Sequence, residues 1–282
     1  MKVIKQARDM ACTAQALKRQ GRSVGFVPTM GALHDGHLSL IREAKRQARV
    51  VVVSIFVNPL QFGPREDFER YPRDLKRDLN LAKAAGADIV FAPAVSQIYP
   101  PGFGTRVEVE GLSDRLEGAR RPGHFRGVAT VVLKLFELVQ PTIAYVGQKD
   151  YQQAVIIQRM VRDLSCPVEV RVMPTVREPD GLAMSSRNVY LSPEERRQAP
   201  LIHEALQAAK AAIRQGERRA DRLQARMHEV LGQGSRLKVQ DIAVVHAATL
   251  ELVTTLTGRI AILVAAHVGD TRLIDNILVD VP

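Results

Sequence analysis

The 282-residue chain has no tryptophan, only two cysteines, and few aromatic residues, which make up 5% of the sequence. Cys12 and Cys166 stand far apart and match no metal-ligand spacing, so we interpret them as small buried hydrophobic residues of a protein in a reducing compartment. No apolar run reaches the roughly 18 residues that a membrane span requires. The N-terminal segment MKVIKQARDMACTAQALKRQ, which we predict to be an amphipathic helix, lacks the apolar core and cleavage site of a signal peptide. These absences indicate a cytoplasmic protein with no membrane partner.

Basic residues outnumber acidic ones, with 40 Lys and Arg against 30 Asp and Glu and a formal net charge of +10. One interpretation is nucleic-acid binding, which would concentrate basic residues and interleaved aromatics on one face. The other is a basic, solvated surface that attracts small anionic substrates. Because aromatics are scarce and arginines are spread through the chain, with their highest density around residues 214–226, we favour the second interpretation and expect no nucleic-acid partner. Charge alone does not decide between the two.

Strand and helix patterns alternate along the first 176 residues. The run VVVSIFV at residues 51–57 is continuously apolar and rich in β-branched residues, which is typical of a strand buried on both faces in a parallel sheet. Further strands are predicted at residues 23–28, 87–93, 142–147 and 168–175, and helices at residues 38–49, 71–86, 124–141 and 150–164. This alternation predicts a doubly wound α/β domain with a parallel sheet over residues 1–176.

The sequence changes character after residue 176. REPDGLAMSSRN, at residues 177–188, is a polar, glycine-containing segment that we interpret as a mobile connector. A Ser-Pro-Glu-Glu helix start at residue 192 opens a predicted helix of about 20 residues. A second charged helix is predicted at residues 219–231, and the β-rich stretches VQDIAVVHA and GRIAILVAAHVG follow it. We therefore predict a smaller α+β C-terminal domain over residues 189–282.

Two histidines, His34 and His37, stand in the segment TMGALHDGH, where the first strand gives way to a helix. The positive end of a helix dipole disfavours an imidazolium but attracts anions, and a neutral imidazole there can donate a hydrogen bond to a phosphate oxygen. Gly31 and Gly36 would let a ligand approach the backbone closely. The pattern favours a phosphate site over two alternatives. The histidines could instead be ordinary turn or N-cap residues, or they could share a zinc ion, which would need further ligands that no histidine- or cysteine-rich segment offers.

Two further polar clusters lie at or beyond the ends of later strands, where open α/β sheets bind their ligands. VGQKD at residues 146–150 offers Lys149 as a positive charge for a phosphate and Asp150 as a helix N-cap or metal partner. MSSRN at residues 184–188 offers two hydroxyls and a guanidinium, which suit a mobile clamp on a polyphosphate. Either cluster alone also fits a solvated segment without function. Together the three clusters predict a nucleotide site, while the absence of G-x-x-x-x-G-K-[ST] and G-x-G-x-x-G argues against a P-loop kinase or a dinucleotide dehydrogenase.

Resemblance to a known family rests on five segments that occur in the family's order: PTMGALHDGH, FVNPLQFGPREDFERYPR, RPGHFRGV, GQKDYQQ and DGLAMSSRNVYLS. Together they resemble the pantoate–β-alanine ligase (pantothenate synthetase) family, a branch of the nucleotidylyltransferase superfamily with its paired H-x-G-H and MSSR signatures. The resemblance runs in register from about residue 24 to residue 195 and continues more weakly to the C-terminus. Gln148 departs from the glutamate that many family members carry before the lysine.

The resemblance implies a Rossmann-like fold and an ATP-dependent ligase that activates pantoate as pantoyl adenylate and then joins it to β-alanine, giving pantothenate, AMP and pyrophosphate. Pantoate, β-alanine and ATP would be the small-molecule partners, Mg²⁺ would bind through the ATP phosphates with no metal site in the protein itself, and the chain would form a homodimer. Three alternatives are less well supported. They are an adenylyltransferase that stops at a dinucleotide-like product, a tRNA synthetase, for which the roughly 95 residues after MSSR leave little room, and a basic nucleic-acid-binding module.

The resemblance also assigns catalytic and nucleotide-binding residues. His37, His34 and Lys149 are the implied catalytic residues, since they would donate hydrogen bonds or positive charge to the phosphates. Val176 would contact the adenine with its backbone. The full set of implied ATP-binding residues is Met30, Gly31, Ala32, Leu33, His34, Asp35, Gly36, His37, Gly147, Gln148, Lys149, Asp150, Val176, Met184, Ser185, Ser186 and Arg187.

Two glutamines, Gln61 and Gln153, are the residues that the resemblance assigns to pantoate. An uncharged amide suits this substrate because it offers donors and an acceptor to hydroxyl and carboxylate groups. Without the resemblance, Gln61 fits an ordinary loop residue and Gln153 an ordinary first-turn helix residue. Arg121 and His124, in RRPGHFRG, are candidates for further anion contacts, but we leave them outside the predicted site because a loop arginine is usually just solvated.

Overall fold

The computed structural model describes residues 1–64 and 66–281 and divides into two compact units. The first unit comprises residues 1–148 and 152–174, and the second comprises residues 149–151 and 175–282. The bounds that the sequence suggests, at residues 176 and 188, stay a prediction. Among the described residues, no helix is both long enough and apolar enough to cross a membrane.

The first unit is built on a parallel sheet. Its strands are β1 (Lys2–Ile4), β2 (Val24–Thr29), β3 (Val50–Ile55), β4 (Ile89–Phe91), β5 (Ile143–Gly147) and β6 (Glu169–Met173). Its helices are α1 (Ala7–Arg19), α2 (Asp35–Gln47), α3 (Leu75–Ala85), α4 (Val95–Ile98), α5 (Glu117–Arg120), α6 (His124–Val139) and α7 (Tyr151–Asp163), with 3₁₀ turns at Pro59–Gln61 and Gln148–Asp150. The strands lie in the order β1-β4-β3-β2-β5-β6, and every paired neighbour runs parallel.

Helices cover both faces of this sheet. Phe26 of β2 packs edge-on against Phe136 of α6, with ring centroids 6.2 Å apart. Its neighbour Val27 belongs to a buried cluster that contains Leu38 and Ile41 of α2. Because successive residues of a strand point to opposite faces, α2 and α6 lie on opposite sides of the sheet. The predicted doubly wound α/β fold is therefore confirmed.

The sheet has a topological switch point between β2 and β5. From β2 the chain continues to β3 and β4 on one side, whereas from β5 it continues to β6 on the other. Open α/β sheets bind ligands in the crevice beyond the carboxyl ends of the two strands at such a point. β2 ends at Thr29 and β5 ends at Gly147, so the segments that carry the histidine pair and GQKD both leave the sheet at the switch point.

The second unit is an antiparallel sheet covered by helices. Its strands β7 (Leu237–His246), β8 (Gly258–Val268) and β9 (Thr271–Val281) lie in sequence order. Its helices are α8 (Pro193–Gln198), α9 (Leu201–Arg214) and α10 (Ala220–Leu231), with a 3₁₀ helix at Ser186–Tyr190. Leu206 of α9, Met227 of α10 and Ile262 of β8 share one buried cluster. The predicted small α+β domain is confirmed.

Two local predictions are wrong, and one strand was not predicted. The N-terminus is not helical from its start, because residues 2–4 pair with β4 as an edge strand and α1 begins only at Ala7. The helix predicted from residue 192 is broken into α8 and α9, since Pro200 has no N–H to donate to the preceding turn. The last strand, β9, was not predicted at all.

The cysteine interpretation also needs correction. Cys12 is exposed and Cys166 is only half-buried. On α1 the buried positions are Met10 and Ala14, which stand one helical turn apart and therefore share a face. Cys12 lies midway between them in sequence and so points away from that face.

Candidate active site

The loop between β2 and α2 makes a tight left-handed turn. Gly31 and Ala32 both have positive φ, 84° and 50°. The N–H of Gly31 donates to Thr29 Oγ1 at 3.1 Å. The next two N–H groups, of Ala32 and Leu33, donate to the carboxylate of Asp78 at 2.9 and 2.8 Å. The predicted ATP-binding residues Ala32 and Leu33 thus have their N–H groups engaged within the protein.

His34 and His37 cap the helix that follows. His34 is the N-cap of α2, and its Nδ1 accepts from the N–H of Gly36 at 3.2 Å. The N–H of His34 donates in turn to Nδ1 of His37 at 3.4 Å, which completes a capping box. The two ring centroids lie 4.1 Å apart, and the ring planes are tilted by 42°. The capping alternative for these histidines is therefore observed, and it involves Nδ1 of both rings.

The capping pattern assigns the tautomer of both histidines. A neutral imidazole carries one proton, and a ring nitrogen that accepts a hydrogen bond cannot hold it. Since Nδ1 accepts in His34 and in His37, the proton of each neutral ring is on Nε2. Each ring therefore has an N–H donor on the edge opposite its capping atom. Both side chains are only half-buried, so capping the helix and donating to a phosphate are compatible.

No metal cluster accompanies these histidines. Within residues 1–64 and 66–281, no three His, Cys, Asp or Glu side chains converge as they would around a metal ion. The helix start thus offers two imidazoles without the third and fourth ligands that a zinc site uses.

Gln61 lies beside Met30, in the 3₁₀ turn that follows β3. Its Nε2 is 3.1 Å from the Met30 sulfur, so two predicted site residues from different segments meet at the carboxyl edge of the sheet. Its Oε1 accepts a hydrogen bond from Nδ2 of Asn58 at 3.0 Å. Asn58 is 1% exposed and was not predicted, because an asparagine before a proline is typical of an ordinary turn.

Arg121 and His124 contact the backbone of Gln61. His124 Nδ1 lies 2.7 Å from the Gln61 carbonyl oxygen, and its Nε2 lies 3.0 Å from Nη1 of Arg121. Arg121 also forms a two-pronged ion pair with Glu66, at 2.7 and 2.5 Å. Both residues, which the sequence left outside the site, thus belong to the scaffold that holds Gln61.

Burial is the main influence on the charge of His124. Together with the positive charge of Arg121, burial lowers the pKa of the His124 imidazole to about 4, against the opposing effects of its hydrogen bond to Gln61 and the carboxylates of Glu66 and Glu117. Burial also acts to raise the pKa of Glu66, but hydrogen bonding and charge from Arg121 outweigh it and hold that pKa below its usual value. At neutral pH the cluster is therefore a neutral imidazole beside an ion pair.

Two adjacent glutamines in the first turn of α7 differ in burial and in hydrogen bonding. Gln152 is 3% exposed, donates to the carbonyls of Leu112 and Arg115, and accepts from the N–H of Glu117. Gln152 therefore ties a loop to α7. Gln153, the residue that the resemblance assigns to pantoate, is half-buried.

The predicted residues of the second unit fall into two groups. The first is Lys149 with Asp150, whose charged groups are 3.4 Å apart. The backbone of Lys149 is held by Asn276 of β9, whose Nδ2 donates to the Lys149 carbonyl at 2.9 Å. Asn276 is 2% exposed, so it fixes the start of the lysine side chain to the three-stranded sheet.

The second group lies on the segment that precedes α8. Val176 and Met184 are brought together by a hydrogen bond from the Met184 N–H to the Val176 carbonyl, at 3.0 Å. Ser185 caps the 3₁₀ helix that carries Ser186 and Arg187, by accepting from the Arg187 N–H at 3.2 Å.

This segment, predicted as a mobile connector, is tied to the rest of the second unit. Arg177 forms a two-pronged ion pair with Asp275 of β9, at 2.6 and 3.0 Å. Arg196 of α8 pairs with both Glu178 and Asp180. These contacts fix residues 177–180 to β9 and α8. Movement of the following MSSR residues during a reaction stays a prediction.

The first unit combines a Rossmann-like sheet with two imidazole donors on a helix start at the switch point. This arrangement defines the class of α/β proteins that bind nucleotides at the carboxyl edge of the sheet. A family model described as Pantoate-beta-alanine ligase matches residues 2–278. The chain therefore belongs to the pantoate–β-alanine ligase family.

Individual relatives agree with the family assignment. The pantothenate synthetase of Moorella thermoacetica is 55% identical over 266 residues, which are 94% of each chain. The crystal structure of pantothenate synthetase from Thermus thermophilus matches with a TM-score of 0.93 and 50% identity, covering 98% of this chain and 99% of that one. Pantoate-beta-alanine ligase from Francisella tularensis, complexed with beta-gamma ATP and beta-alanine, matches with a TM-score of 0.80 and 36% identity over 99% and 97% of the two chains. The chain is thus a ligase, and ATP-dependent condensation of pantoate with β-alanine is its family's reaction.

Proposed function

We propose that the chain joins pantoate to β-alanine through an enzyme-bound pantoyl adenylate made from ATP. The observation that carries the proposal is the histidine capping pair. Because His34 and His37 cap α2 through Nδ1, each neutral ring has its proton on Nε2 and can donate to a phosphate oxygen. Donors fixed in advance at a helix start stabilise negative charge without reorganising during the reaction.

In the first step, a carboxylate oxygen of pantoate attacks the α-phosphorus of ATP. A new oxygen–phosphorus bond forms, the bond from the α-phosphorus to the bridging oxygen breaks, and pyrophosphate leaves with that oxygen. Negative charge grows on the α-phosphoryl oxygens and on the leaving group. We assign His34 and His37 as donors to these oxygens, with His37 as the proton donor, and Lys149 as the positive charge at the α-phosphate.

In the second step, the neutral amine of β-alanine attacks the acyl carbon of pantoyl adenylate. The carbon–nitrogen bond forms, the carbon–oxygen bond to the phosphate breaks, AMP leaves, and the amine loses a proton. No covalent bond to the protein is needed in either step. The protein contributes position, since reactants held in reactive contact gain a large effective concentration.

The nucleotide is proposed to occupy the residues that the resemblance assigns. Met30, Gly31 and the start of α2 would line the nucleotide, Gly147 to Asp150 would surround the α-phosphate, and Val176 would contact the adenine. Ser185, Ser186 and Arg187 would bind the β- and γ-phosphates, for which a guanidinium offers several donors in a fixed plane. Ala32 and Leu33, whose N–H groups donate to Asp78, would contribute shape and not N–H donors.

Pantoate is proposed to bind Gln61 and Gln153. The polarity of the Gln61 amide supports this assignment, because its oxygen accepts from Asn58, and its –NH₂ group, which lies 3.1 Å from the Met30 sulfur, has a second hydrogen to donate to a substrate oxygen. An N–H donor suits the carboxylate or a hydroxyl of a small hydroxy acid. Neutral amides would bind this anion without pairing its charge so strongly that its nucleophilicity is lost.

Mg²⁺ and a second copy of the chain complete the proposal. Mg²⁺ supplies positive charge that neutralises the phosphates when ATP is bound. The ion would be held by phosphate oxygens and water, with no metal site in the protein itself. The homodimer rests on the resemblance alone, and sedimentation equilibrium would check it.

The reaction is tested by a product assay in which ATP, pantoate and β-alanine are omitted one at a time. We expect multiple turnovers to AMP and pyrophosphate only when all three are present. Turnover with acetate in place of pantoate, at an equal rate, would contradict the substrate assignment. Release of ADP and phosphate in place of AMP and pyrophosphate would contradict attack at the α-phosphorus.

A further inference from the structure

A buried carboxylate, that of Asp78, lies directly behind the loop that leads to the histidine pair. Asp78 is in α3 and is 1% exposed. Its Oδ1 accepts from the Leu33 N–H at 2.8 Å, and its Oδ2 accepts from the Ala32 N–H at 2.9 Å. A buried carboxylate requires such donors to compensate for lost hydration, so loop and carboxylate depend on each other.

The loop has a conformation that needs this support. Ala32 has a φ of 50°, in the left-handed region that residues with a Cβ rarely adopt. Gly31, just before it, also has positive φ, and a Cβ at that position would lie 2.9 Å from Oδ2 of Asp78 and 3.0 Å from Cγ2 of Ile55. The carboxylate thus fits closely against the turn and holds both of the N–H groups that the turn directs inward.

A second residue of α3, Arg77, holds the loop from its carbonyl side. Nη1 of Arg77 donates to the Leu33 carbonyl at 3.1 Å, while Asp78 accepts from the Leu33 N–H. The Leu33 side chain is fully buried. The peptide groups on both sides of Leu33 are therefore fixed by α3, one residue before the N-cap His34. A shift of this loop would change the direction of both imidazoles, because each caps through the backbone next to it.

We propose that Asp78 is a positioning residue that sets the direction of the His34 and His37 Nε2–H donors by locking the left-handed turn at residues 31–33. By engaging the N–H groups of Ala32 and Leu33, the carboxylate also removes these two groups from the possible phosphate donors of this segment. The inference rests on the proposed function, because it assigns Asp78 a part in orienting groups toward the reacting phosphate.

The test compares Asp78→Asn with a matched control, Asp88→Asn. The asparagine at 78 keeps the size of the side chain but has one oxygen for two N–H groups, so one hydrogen bond to the loop is lost. Asp88 forms bonds of the same type, since it accepts from the Val51 N–H at 2.8 Å and pairs with Lys45 at 2.8 Å. It lies at the amino ends of β3 and β4, away from the histidines.

We expect Asp78→Asn to lower kcat about tenfold or more with little change in the KM for ATP, since misplaced donors are lost mainly from the transition state. Asp88→Asn should keep kcat within about twofold of the parent. The long-range ¹H–¹⁵N spectrum of the histidine rings, which reports their tautomers, should change at His34 and His37 in the first variant only. This spectroscopic difference would not arise from a general loss of stability.

The proposal is overturned if folded Asp78→Asn turns over at the parent rate, or if Asp88→Asn loses kcat equally. If Asp78→Asn does not fold, Arg77→Gln takes its place, because Arg77 is exposed, donates to the Leu33 carbonyl of the loop, and lies 3.9 Å from Oδ1 of Asp78. A several-fold fall in kcat at unchanged KM then supports the proposal, and an unchanged kcat overturns it. Failure of the parent enzyme to make AMP from ATP, pantoate and β-alanine would instead overturn the proposed function.

Discussion

The side-chain amide of Asn58 donates to the amide oxygen of Gln61 at 3.0 Å. Its orientation is fixed independently, because the same Nδ2 donates to the Gly127 carbonyl at 3.1 Å and Oδ1 accepts from the Leu60 N–H at 3.3 Å. A carbonyl can only accept and an N–H can only donate, so the Asn58 amide has one possible orientation. The Tyr99 hydroxyl therefore donates to Oδ1, at 2.8 Å. Through Asn58, the backbone fixes the orientation of the Gln61 amide, whose –NH₂ group lies 3.1 Å from the Met30 sulfur and is proposed to face pantoate.

The first prediction concerns Asn58→Asp, which has nearly the same shape but no N–H donor. We expect the Gln61 amide to rotate, so that its –NH₂ group faces the new carboxylate and its oxygen faces the substrate. The kcat/KM for pantoate should then fall about tenfold to a hundredfold, the scale of one lost hydrogen bond to a charged group. Steady-state kinetics at saturating ATP and β-alanine would measure the change, with a thermal melt to verify folding.

Tyr99→Phe is the matched control for this prediction. It removes one donor to Asn58 Oδ1 but leaves the Leu60 N–H and the Gly127 carbonyl, which are enough to keep the amide oriented. Its kcat/KM for pantoate should stay within a few-fold of the parent. An effect as large as that of Asn58→Asp, or no effect in Asn58→Asp, would contradict the proposed orientation of Gln61.

The second prediction separates helix capping by His34 from its proposed donation to a phosphate. His34→Asn keeps an acceptor at the N-cap, where asparagine is among the best residues, but removes the Nε2–H donor. We expect the free energy of unfolding to stay within about 0.5 kcal/mol of the parent, while kcat falls on the order of a hundredfold. Chemical denaturation and steady-state turnover measure the two quantities on one protein sample.

Two further variants accompany this test: His37→Ala removes the second proposed donor, and His228→Ala is a control. His37→Ala should also lose a hundredfold or more in kcat, as is usual for a lost transition-state donor. His228 is exposed on α10 of the second unit, so its replacement should leave kcat unchanged. If His34→Asn or His37→Ala retained full turnover, that histidine would have no part in the mechanism beyond capping.

The third prediction is a pH dependence of stability that originates at His124. The pKa of its imidazole is about 4 in the folded protein and about 6.5 in an unfolded chain. Between these values the unfolded chain binds the additional proton, so the free energy of unfolding falls as pH falls from 6.5 toward 4. The loss is complete below about pH 4, and above pH 6.5 His124 contributes no slope. Because the side chain is partly exposed, we expect a total on the order of 2 kcal/mol.

The comparison for this prediction is His124→Asn. The asparagine amide can still donate to the Gln61 carbonyl but does not titrate, so the variant should lose less stability between pH 6.5 and 4. Denaturant unfolding at several pH values measures the slope. His228→Asn, which removes an exposed histidine, should follow the parent. Identical slopes for the parent and His124→Asn would show that the buried imidazole is not the source.

Much of the fold could be predicted because the decisive signals are local in sequence. The β-branched run at residues 51–57 is typical of a strand buried on both faces, and β3 is found at Val50–Ile55. Pro200 is also a local signal, but the predicted helix continued through it, whereas the structure has two helices, α8 and α9, on either side of it. Strands β1 and β9 were not predicted, because each depends on pairing with a neighbouring strand and not on a local sequence signal. β1 is only three residues long, and β9 pairs along its whole length with β8.

The histidine pair shows what sequence could and could not supply for the site. The sequence placed His34 and His37 at a helix start and favoured a phosphate site, with capping and zinc as the alternatives. Only the three-dimensional structure shows that capping uses Nδ1, so that capping and the proposed phosphate contact involve different ring nitrogens. Asn58 and Asp78 were not predicted at all, because their partners Gly127 and Ala32 are 69 and 46 residues away in sequence. Nothing in the neighbouring residues signals such a contact.

The central claim is that pantoate is activated before β-alanine reacts, and pyrophosphate exchange tests it most directly. The enzyme is incubated with ATP, Mg²⁺, pantoate and labelled pyrophosphate, without β-alanine, and the label that enters ATP is counted. Reversible formation of pantoyl adenylate predicts exchange that requires pantoate and that His37→Ala reduces on the order of a hundredfold. Exchange that is absent without β-alanine, in an enzyme that makes AMP when β-alanine is added, would contradict a separate adenylate step.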